Sequence, residues 1–327
     1  MVRLAVGLVL LIAAGLSIGW TLFQRASSEP ADSGFAADRD PKSVFDAERS
    51  MKYLKDICAI GPRISATDGM AKQQDMLKKH FEALGGTVTL QKFTAKQVSQ
   101  KQPVEMANMI VSWNPQAKRR YIICSHYDTR PIADQEDDPR NWTKPFVSAN
   151  DGGSGVALMM ELAHHMKDLD LKIGVDFVLF DGEEYIFERG DDVYFFGSKH
   201  FAKNIRKERP GQQFVAAILL DMIAGKQPRF LIEQNSMMRA GRLVESVWGL
   251  ANQIGIREFE NQRGFEISDD HVALNANGIP AIDIIDFNYM EGPNPHWHRL
   301  SDTPENCSGE SMQKVARVLI AWLKRQS

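Results

Sequence analysis

The pattern of apolar and polar positions divides most of the chain into alternating helices and strands. Apolar residues at helical spacing predict helices, and short continuous apolar runs predict strands. In chain order, the predicted elements are helices at 44–57 and 70–84, strands at 87–93, 107–113 and 121–124, a helix at 156–166, a strand at 176–180, a helix at 198–205, a strand at 214–220, a helix at 237–254, a strand at 281–286 and a helix at 311–325. Several strands are apolar throughout, which is typical of strands covered on both faces. The sequence therefore predicts an α/β fold, a three-layer α/β/α sandwich around a mixed, mostly parallel sheet.

The first 25 residues have a different pattern. Residues 4–23 form a run of 20 residues without a charge, between Arg3 and Arg25. A helix of this length spans about 30 Å, the thickness of the hydrocarbon layer of a membrane. We interpret residues 1–25 as an N-terminal hydrophobic helix, either an uncleaved transmembrane anchor or a cleaved signal segment. Both interpretations place the rest of the chain outside the cytoplasm, membrane-anchored or secreted.

The remaining sequence predicts a linker and one folded domain. Residues 26–40 are small, polar and acidic, which is typical of a linker, and all later elements belong to residues 41–327. Apolar residues make up 43% of the chain and charged residues 25%. This composition is typical of a globular domain with a buried hydrophobic core. The net charge of −3, with no basic stripe, argues against a nucleic-acid partner. The predicted contact with a membrane is through the N-terminal helix.

The three cysteines match no zinc-finger spacing. They are Cys58, Cys124 and Cys307. Cys124 lies in the apolar run at 121–124 and is predicted to be a buried strand residue. An exported protein can form one disulfide from three cysteines, and whether Cys58 pairs with Cys307 stays open at this point.

Polar residues follow the predicted strands at the points where the strands end. They are His126 and Asp128 after the third strand, Glu183 and Glu184 after the fourth, Asp221 after the fifth and His296 and His298 beyond the last, while Asp151 precedes the helix at 156–166. Because ligands of α/β proteins bind at the carboxyl ends of strands, we expect these side chains to meet at one edge of the sheet. The spacing alone does not choose between His296 and His298.

The chemistry of this set favours zinc. Histidine and carboxylates without cysteine suit zinc in a hydrolytic or acyl-transfer site. Of the adjacent acids Glu183 and Glu184, one can bind metal while the other stays free to carry protons. Asp128 lies two residues after His126, so in a continued strand it points the same way and can hold the far nitrogen of that imidazole.

Some of these residues have simpler interpretations when taken singly. Asp151 alone is a good helix cap before a glycine-rich turn, and paired glutamates are more often solvated. The acidic tract at 134–140 is expected to be a solvated loop. Five loops that each supply a zinc-type ligand, however, together favour a metal site.

The order of these motifs resembles peptidase family M28, the zinc aminopeptidases, and their relatives, the animal-type glutaminyl-peptide cyclotransferases. The resemblance runs from about Ile60 to the C-terminus and rests on the motifs SHYD at 125–128, SANDGGSG at 148–155, DGEE at 181–184, LLDM at 219–222, DDH at 269–271 and WH at 297–298. It implies the zinc-exopeptidase fold and a zinc-dependent catalytic domain at 41–327.

The resemblance also implies roles for single residues. The zinc ligands would be Asp151, Glu184 and His298. Glu183 would carry protons, Asp269 would hydrogen-bond within the proton-handling network, and Trp297 would line the substrate pocket. His126 and Asp221 match the further ligands with which the aminopeptidases bind a second zinc. The implied cofactor is therefore Zn²⁺, one ion or two.

The implied substrate is the N-terminus of a peptide or protein. The resemblance favours a glutaminyl-peptide cyclotransferase, which converts an N-terminal glutamine to pyroglutamate and releases ammonia. The alternative is a metallo-aminopeptidase that hydrolyses the first peptide bond, and a third possibility is a non-catalytic docking domain. The sequence does not predict the oligomeric state.

Four positions differ from the cyclotransferase pattern. Ser125 and a residue near Val156 replace a cysteine pair, Arg189 replaces a tryptophan, and Asp283 replaces a histidine of the hydrogen-bond network. The segment at 148–155 is closer to the peptidases. These differences bear on the choice between cyclisation and hydrolysis and leave the implied zinc ligands unchanged.

Overall fold

The computed structural model describes residues 45–287 and 295–327. The predicted hydrophobic helix at 1–25 and the linker at 26–40 lie outside these residues. Among the helices of the described ranges, none combines the length and the apolar character needed to cross a membrane.

A six-stranded sheet forms the centre of the described fold. The eight strands are β1 (Thr87–Ala95), β2 (Val104–Trp113), β3 (Arg119–His126), β4 (Gly174–Phe180), β5 (Gln213–Asp221), β6 (Phe230–Ile232), β7 (Phe259–Arg263) and β8 (Ala281–Ile285). The large sheet has the order β1-β2-β4-β3-β5-β8, and β6 pairs with β7 in a small second sheet. Strand β2 pairs antiparallel with β1 and with β4, whereas β4, β3, β5 and β8 run parallel to one another. The predicted mixed, mostly parallel sheet is confirmed.

Helices cover both faces of the sheet. They are α1 (Ala47–Cys58), α2 (Asp68–Ala83), α3 (Gly153–Ala163), α4 (Phe196–Glu208), α5 (Gln234–Gln253), α6 (Asp270–Ala276) and α7 (Gly309–Gln326). Within β3, Ile123 packs in the larger core with α1, α2, α3, α5 and α7. Its neighbour Cys124 points to the opposite face and packs with Phe201 of α4 and Leu274 of α6. The apolar run of β3 is thus buried on both faces, and the predicted three-layer sandwich is confirmed.

The elements that the sequence pattern misses are short. Strand β6 has 3 residues, β7 has 5 and α6 has 7, too few to show a clear period. Helix α3 begins at Gly153, three residues before the predicted start, because its glycine-rich first turn is helical.

All three cysteines are buried and free in the described structure. The prediction that Cys124 is a buried strand residue is confirmed, and no disulfide joins Cys58 to Cys307 there.

The parallel strands end together at one edge of the sheet. His126, the last residue of β3, lies opposite Phe180, the last residue of β4. Asp221, the last residue of β5, lies opposite Ile285 at the end of β8. The polar residues that follow these strands are therefore brought to a common edge.

Candidate metal centre

The loop that carries Asp151 is shaped for close approach to β3. Gly152 has a φ of +79°, and a Cβ at this position would lie 2.6 Å from Cε1 of His126. A Cβ at Gly155, in the first turn of α3, would lie 2.8 Å from the carbonyl oxygen of Leu220. Both glycines are needed because the backbone passes directly over the ends of β3 and β5.

The Asp151 side chain does not cap α3. The N-cap residue is Gly152, and no side chain caps this helix. The simpler interpretation of Asp151 as a helix cap is therefore wrong. The carboxylate instead points across the edge of the sheet toward two histidines.

Asp151 lies between two groups of polar side chains. On one side, its Oδ1 is 3.0 Å from Nε2 of His126, and this nitrogen is also 3.4 Å from Oδ1 of Asp221. On the other side, Oδ2 of Asp151 is 3.5 Å from Nε2 of His298, which is 2.5 Å from Oε1 of Glu184. A single carboxylate thus reaches both groups, as a bridging ligand would.

Two further carboxylates fix the loops from which these side chains project. Both oxygens of Asp302 accept backbone hydrogen bonds from the Asp151 loop, 2.8 Å from N of Asn150 and 3.1 Å from N of Asp151. Burial, together with the charge of Asp151, raises the pKa of Asp302 to about 7. The sequence gives no sign of this role, because Asp302 lies 151 residues after the aspartate whose backbone it binds.

Asp128 fixes the backbone of the loop that carries Glu183 and Glu184. Its oxygens accept from N of Glu183 at 3.1 Å and from N of Glu184 at 3.0 Å. Its Oδ1 is 3.7 Å from Nδ1 of His126, which is longer than a hydrogen bond. The predicted role of Asp128 toward His126 stays a prediction, and the contacts with the glutamate loop were not foreseen.

Glu183 and Asp269 both line the cavity, and both hold their protons more tightly than usual. Burial and the neighbouring charge of Glu184 raise the pKa of Glu183 well above its ordinary range. Burial and the charge of Asp221 raise the pKa of Asp269 in the same way. A carboxyl group with a raised pKa is suited to proton transfer near neutral pH. Asp269 also caps α6, accepting from N of Asp270 at 2.5 Å.

A cavity of about 490 Å³ opens at the edge of the sheet, and the acids that line it include Asp151, Glu183, Glu184, Asp221 and Asp269. Apolar side chains complete its wall, among them Phe195, Ile267, Phe287 and Trp297. The ring of Trp297 packs edge-on against Phe287, with ring centroids 4.9 Å apart. The cavity therefore combines an acidic floor with an apolar wall, the composition of a small-ligand site. His298 belongs to it, whereas His296 instead contacts Oγ of Ser301 at 2.9 Å.

The sequence positions that differ from the cyclotransferase pattern have defined surroundings. Ser125 donates a hydrogen bond to the carbonyl oxygen of His126 at 3.0 Å, and Val156 is packed in the larger core. Arg189 pairs with Asp134 at 2.5 Å. Asp283 is buried 3.9 Å from Nδ1 of His271.

The expectation that the tract at 134–140 is a solvated loop is wrong for its first residue. The side chain of Asp134 is completely buried and lies 3.2 Å from Nδ1 of His298. A run of acids is normally solvated, and Asp134 is buried here because Arg130 and Arg189 surround it.

The donor set fits zinc. Oδ2 of Asp151, Oε2 of Glu184 and Oδ1 of Asp221 are buried without a hydrogen-bond partner. Buried acceptors normally have partners, so unpaired carboxylate oxygens in one buried cluster are typical of a site for a cation. His126, Asp151 and Glu184 each offer one ligand atom within 4.8 Å of the others. Carboxylate and imidazole donors are typical of catalytic zinc.

The fold is that of a zinc exopeptidase-like protein. Residues 108–323 match the model of peptidase family M28, and the chain belongs to this family. The predicted resemblance to M28 and its relatives is confirmed.

Relatives with solved structures include a glutaminyl cyclase and an exopeptidase. The Fimbriiglobus ruber glutaminyl cyclase is 50% identical with a TM-score of 0.83, over 86% of this chain and 96% of that one. A Zn-dependent exopeptidase from Parabacteroides distasonis is 30% identical with a TM-score of 0.80, over 85% of this chain and 98% of that one.

The glutaminyl-peptide cyclotransferase of Boiga irregularis is 27% identical over 65% of this chain and 63% of its own length. The match to this animal relative thus spans less than two thirds of it.

Proposed function

We propose that the protein is a zinc-dependent glutaminyl-peptide cyclotransferase, which closes an N-terminal glutamine to pyroglutamate and releases ammonia. The observation that carries the proposal is the 50% identity and TM-score of 0.83 with the F. ruber glutaminyl cyclase, which extends over 96% of that chain. The carboxylates of the cavity agree with a substrate that presents an α-amine, and its apolar wall agrees with an uncharged side chain.

Asp151, Glu184 and His298 would hold the zinc ion. Their ligand atoms face one another across the carboxyl ends of the strands, and two of their oxygens lack other partners. When bound, zinc would polarise the γ-carboxamide carbonyl of the substrate glutamine. His126 and Asp221 would complete a second set of ligands around Asp151, and cyclisation itself requires only the first set.

Glu183 would move the proton. The substrate α-amine nitrogen attacks the carbonyl carbon (Cδ) of the γ-carboxamide, the new carbon–nitrogen bond closes the lactam, and the bond from this carbon to the amide nitrogen breaks. Glu183 accepts the proton that the amine loses and donates it to the leaving nitrogen, which departs as ammonia. No water is consumed. Asp269 would hydrogen-bond within the proton-handling network, and Trp297 would form the apolar wall beside the substrate side chain.

Hydrolysis of the first peptide bond by an M28-type aminopeptidase is the second candidate. It is favoured by the approach of His126 to both Asp151 and Asp221, which a second zinc would require. The similarity to the P. distasonis Zn-dependent exopeptidase supports it as well. Glu183 would then take a proton from the attacking water.

We also infer that the protein is exported. The uncharged run at 4–23 supports an anchor in the membrane with residues 41–327 outside the cytoplasm, or secretion after cleavage. Fractionation of cells that express the full chain, followed by determination of its N-terminal residue, separates these outcomes.

A direct experiment distinguishes the candidate activities. The full chain is incubated with zinc and a short peptide that begins with glutamine, and the product mass is recorded against a sample without protein. Loss of ammonia supports the cyclotransferase, and loss of the whole first residue supports the aminopeptidase. If neither this peptide nor a series with other N-terminal residues changes, the non-catalytic docking domain is favoured.

A further inference from the structure

Residues 134–137, here called the clamp segment, bind the segment that carries His298 at each of four successive positions. Oδ1 of Asp134 lies 3.2 Å from Nδ1 of the imidazole. The backbone N of Gln135 donates to the carbonyl oxygen of His298 at 3.2 Å. The clamp segment therefore fixes both the side chain and the backbone of this residue.

The next two positions continue the same contact. Oε1 of Glu136 accepts from the backbone N of Leu300 at 2.9 Å. Asp137 pairs with Arg299 at 3.1 Å, but its side chain is 90% exposed. Side-chain burial thus decreases along the clamp segment, from fully buried at Asp134 to solvent-exposed at Asp137. An exposed ion pair such as that of Asp137 contributes little to stability.

His298 needs such support, because its backbone is strained. Its φ of +53° lies in the left-handed region, which a residue with a Cβ rarely adopts. Strained residues of this kind persist when the surrounding structure fixes them. The hydrogen bond from Gln135 to the carbonyl oxygen of His298 is one such constraint.

Two guanidinium groups hold Asp134 in place. Arg130 donates to both carboxylate oxygens, from Nε to Oδ1 at 3.1 Å and from Nη2 to Oδ2 at 2.7 Å. Arg189 donates to Oδ2 at 2.5 Å. Oδ2 therefore receives two donors and Oδ1 one, which leaves Oδ1 with a lone pair for the imidazole.

We propose that Asp134 is a positioning residue for the zinc ligand His298. Oδ1 lies 3.2 Å from Nδ1, a buried nitrogen that has no hydrogen-bond partner among the described residues. A small rotation of the ring would let Oδ1 accept the Nδ1–H and so select the tautomer whose Nε2 lone pair faces Asp151 and Glu184. Histidines that bind metal usually donate their other N–H to a carboxylate in this way. The inference rests on the zinc site of the proposed function, but it does not depend on whether the enzyme cyclises or hydrolyses.

The variant Asp134→Asn gives a sharp test, because its orientation is dictated by the arginines. Oδ2 accepts from two guanidinium groups and Oδ1 from one, so the amide oxygen is expected to take the place of Oδ2 and the NH₂ group that of Oδ1, at the loss of the hydrogen bond from Nε of Arg130. The NH₂ group would then donate to Nδ1 of His298 and select the opposite tautomer, with a hydrogen on Nε2. A ring in that form cannot bind zinc through Nε2.

The matched control is Asp137→Asn, the same chemical change three residues further on in the same segment. Zinc affinity of the full chain is measured by competition with a chelator, without substrate. We expect Asp134→Asn to weaken zinc binding by about ten- to a hundredfold and Asp137→Asn to change it by less than about twofold. Equal zinc affinities in the two variants would overturn the proposal.

A second measurement does not require any variant to fold. The ¹⁵N resonances of the His298 ring in the metal-free wild-type chain report which nitrogen carries the proton once the ring is neutral. They are recorded well above pH 9, because the charge of Glu184 and the contact with Asp134 outweigh burial and raise the pKa of the ring to about 9. A proton on Nδ1 supports the role of Asp134, and a proton on Nε2 alone contradicts it. If zinc binding and the tautomer behave as expected while no cyclisation occurs, the positioning role holds and the proposed activity fails.

Discussion

Gly152 lies against the imidazole of His126 so closely that a methyl group at its Cα would stand 2.6 Å from Cε1. This contact brings the Asp151 loop over the end of β3. It accounts for the glycine that directly follows the acid, since only a residue without a side chain permits both the approach and the φ of +79°.

We expect Gly152→Ala to weaken zinc binding and lower stability together. The added methyl must push His126 and the Asp151 loop apart. Gly211→Ala is the matched control, because Gly211 has a φ of +86° but a Cβ at this position would have no neighbouring atom within 4 Å. The control measures backbone strain alone, about 1–2 kcal/mol. Denaturant unfolding and zinc titration of both variants check this, and equal losses in the two would show that the contact with His126 is unimportant.

Asp151→Ala is expected to lose zinc without weakening helix α3. No side chain caps this helix, so the substitution removes no capping hydrogen bond. It also removes one of several buried acids that repel one another. Zinc affinity should fall by more than about a hundredfold, while the metal-free variant should unfold at the same denaturant concentration as the metal-free wild type or at a higher one. An unchanged zinc content would contradict the assignment of Asp151 as a ligand.

Glu183→Gln is expected to keep zinc and lose turnover. The amide has nearly the same shape as the acid but cannot accept the proton from the substrate amine, so the rate should fall by about 10²–10⁴-fold. Zinc content and turnover are measured on the same preparation. Glu184→Gln provides the contrast, because the neighbouring residue is a proposed ligand and its variant should lose metal as well. Turnover that persists in Glu183→Gln would remove this residue from the proton path.

A pH-dependent stability effect is expected from the buried Asp181. Burial and the nearby charge of Asp128 raise its pKa to about 7, from an ordinary value of 3.8. The folded state therefore binds a proton that the unfolded state has lost between these two pH values, and stability falls as the pH rises through this window.

Asp181→Asn should flatten this pH dependence and stabilise the protein at pH 8. The amide oxygen can keep the hydrogen bond from N of Ala107, and the NH₂ group can donate to Oγ of Ser65, which reverses the direction of that bond. The gain should be on the order of 1–3 kcal/mol. Asp176→Asn is the opposite case, because Asp176 pairs with Arg120 at 2.6 Å in the core and its loss should cost about 3–5 kcal/mol. Denaturant unfolding of both variants at pH 5 and pH 8 checks these signs, and a destabilised Asp181→Asn at pH 8 would contradict them.

The sequence pattern predicts the sheet and its helices because long apolar runs have few alternatives to burial. It also predicts that His126 and Asp221 meet, since strands that run parallel must end at the same edge. Both inferences use only local sequence and one topological rule.

Asp134 and Asp302 could not be found in this way. Their burial depends on contacts with residues far away in the chain, such as His298 for Asp134 and Asn150 for Asp302. An acid within an acidic run looks solvated until the arginines that enclose it are placed. The short α6, in contrast, could have been anticipated from Asp269, whose side chain marks the start of a helix as its N-cap.

Glu184 and His298 lie 114 residues apart in the chain, yet their side chains meet at 2.5 Å. A metal ion held by both would act as a cross-link that closes a very long loop, and a covalent link across a loop of this size stabilises a protein by about 4–5 kcal/mol in the chain-entropy model. Ser125 stands where the cyclotransferases have a cysteine, and the cysteines of the described residues are all free. A bound zinc ion would therefore take the place of a disulfide as a cross-link between distant parts of this chain. Removal of the metal is then expected to lower the free energy of unfolding as well as the activity.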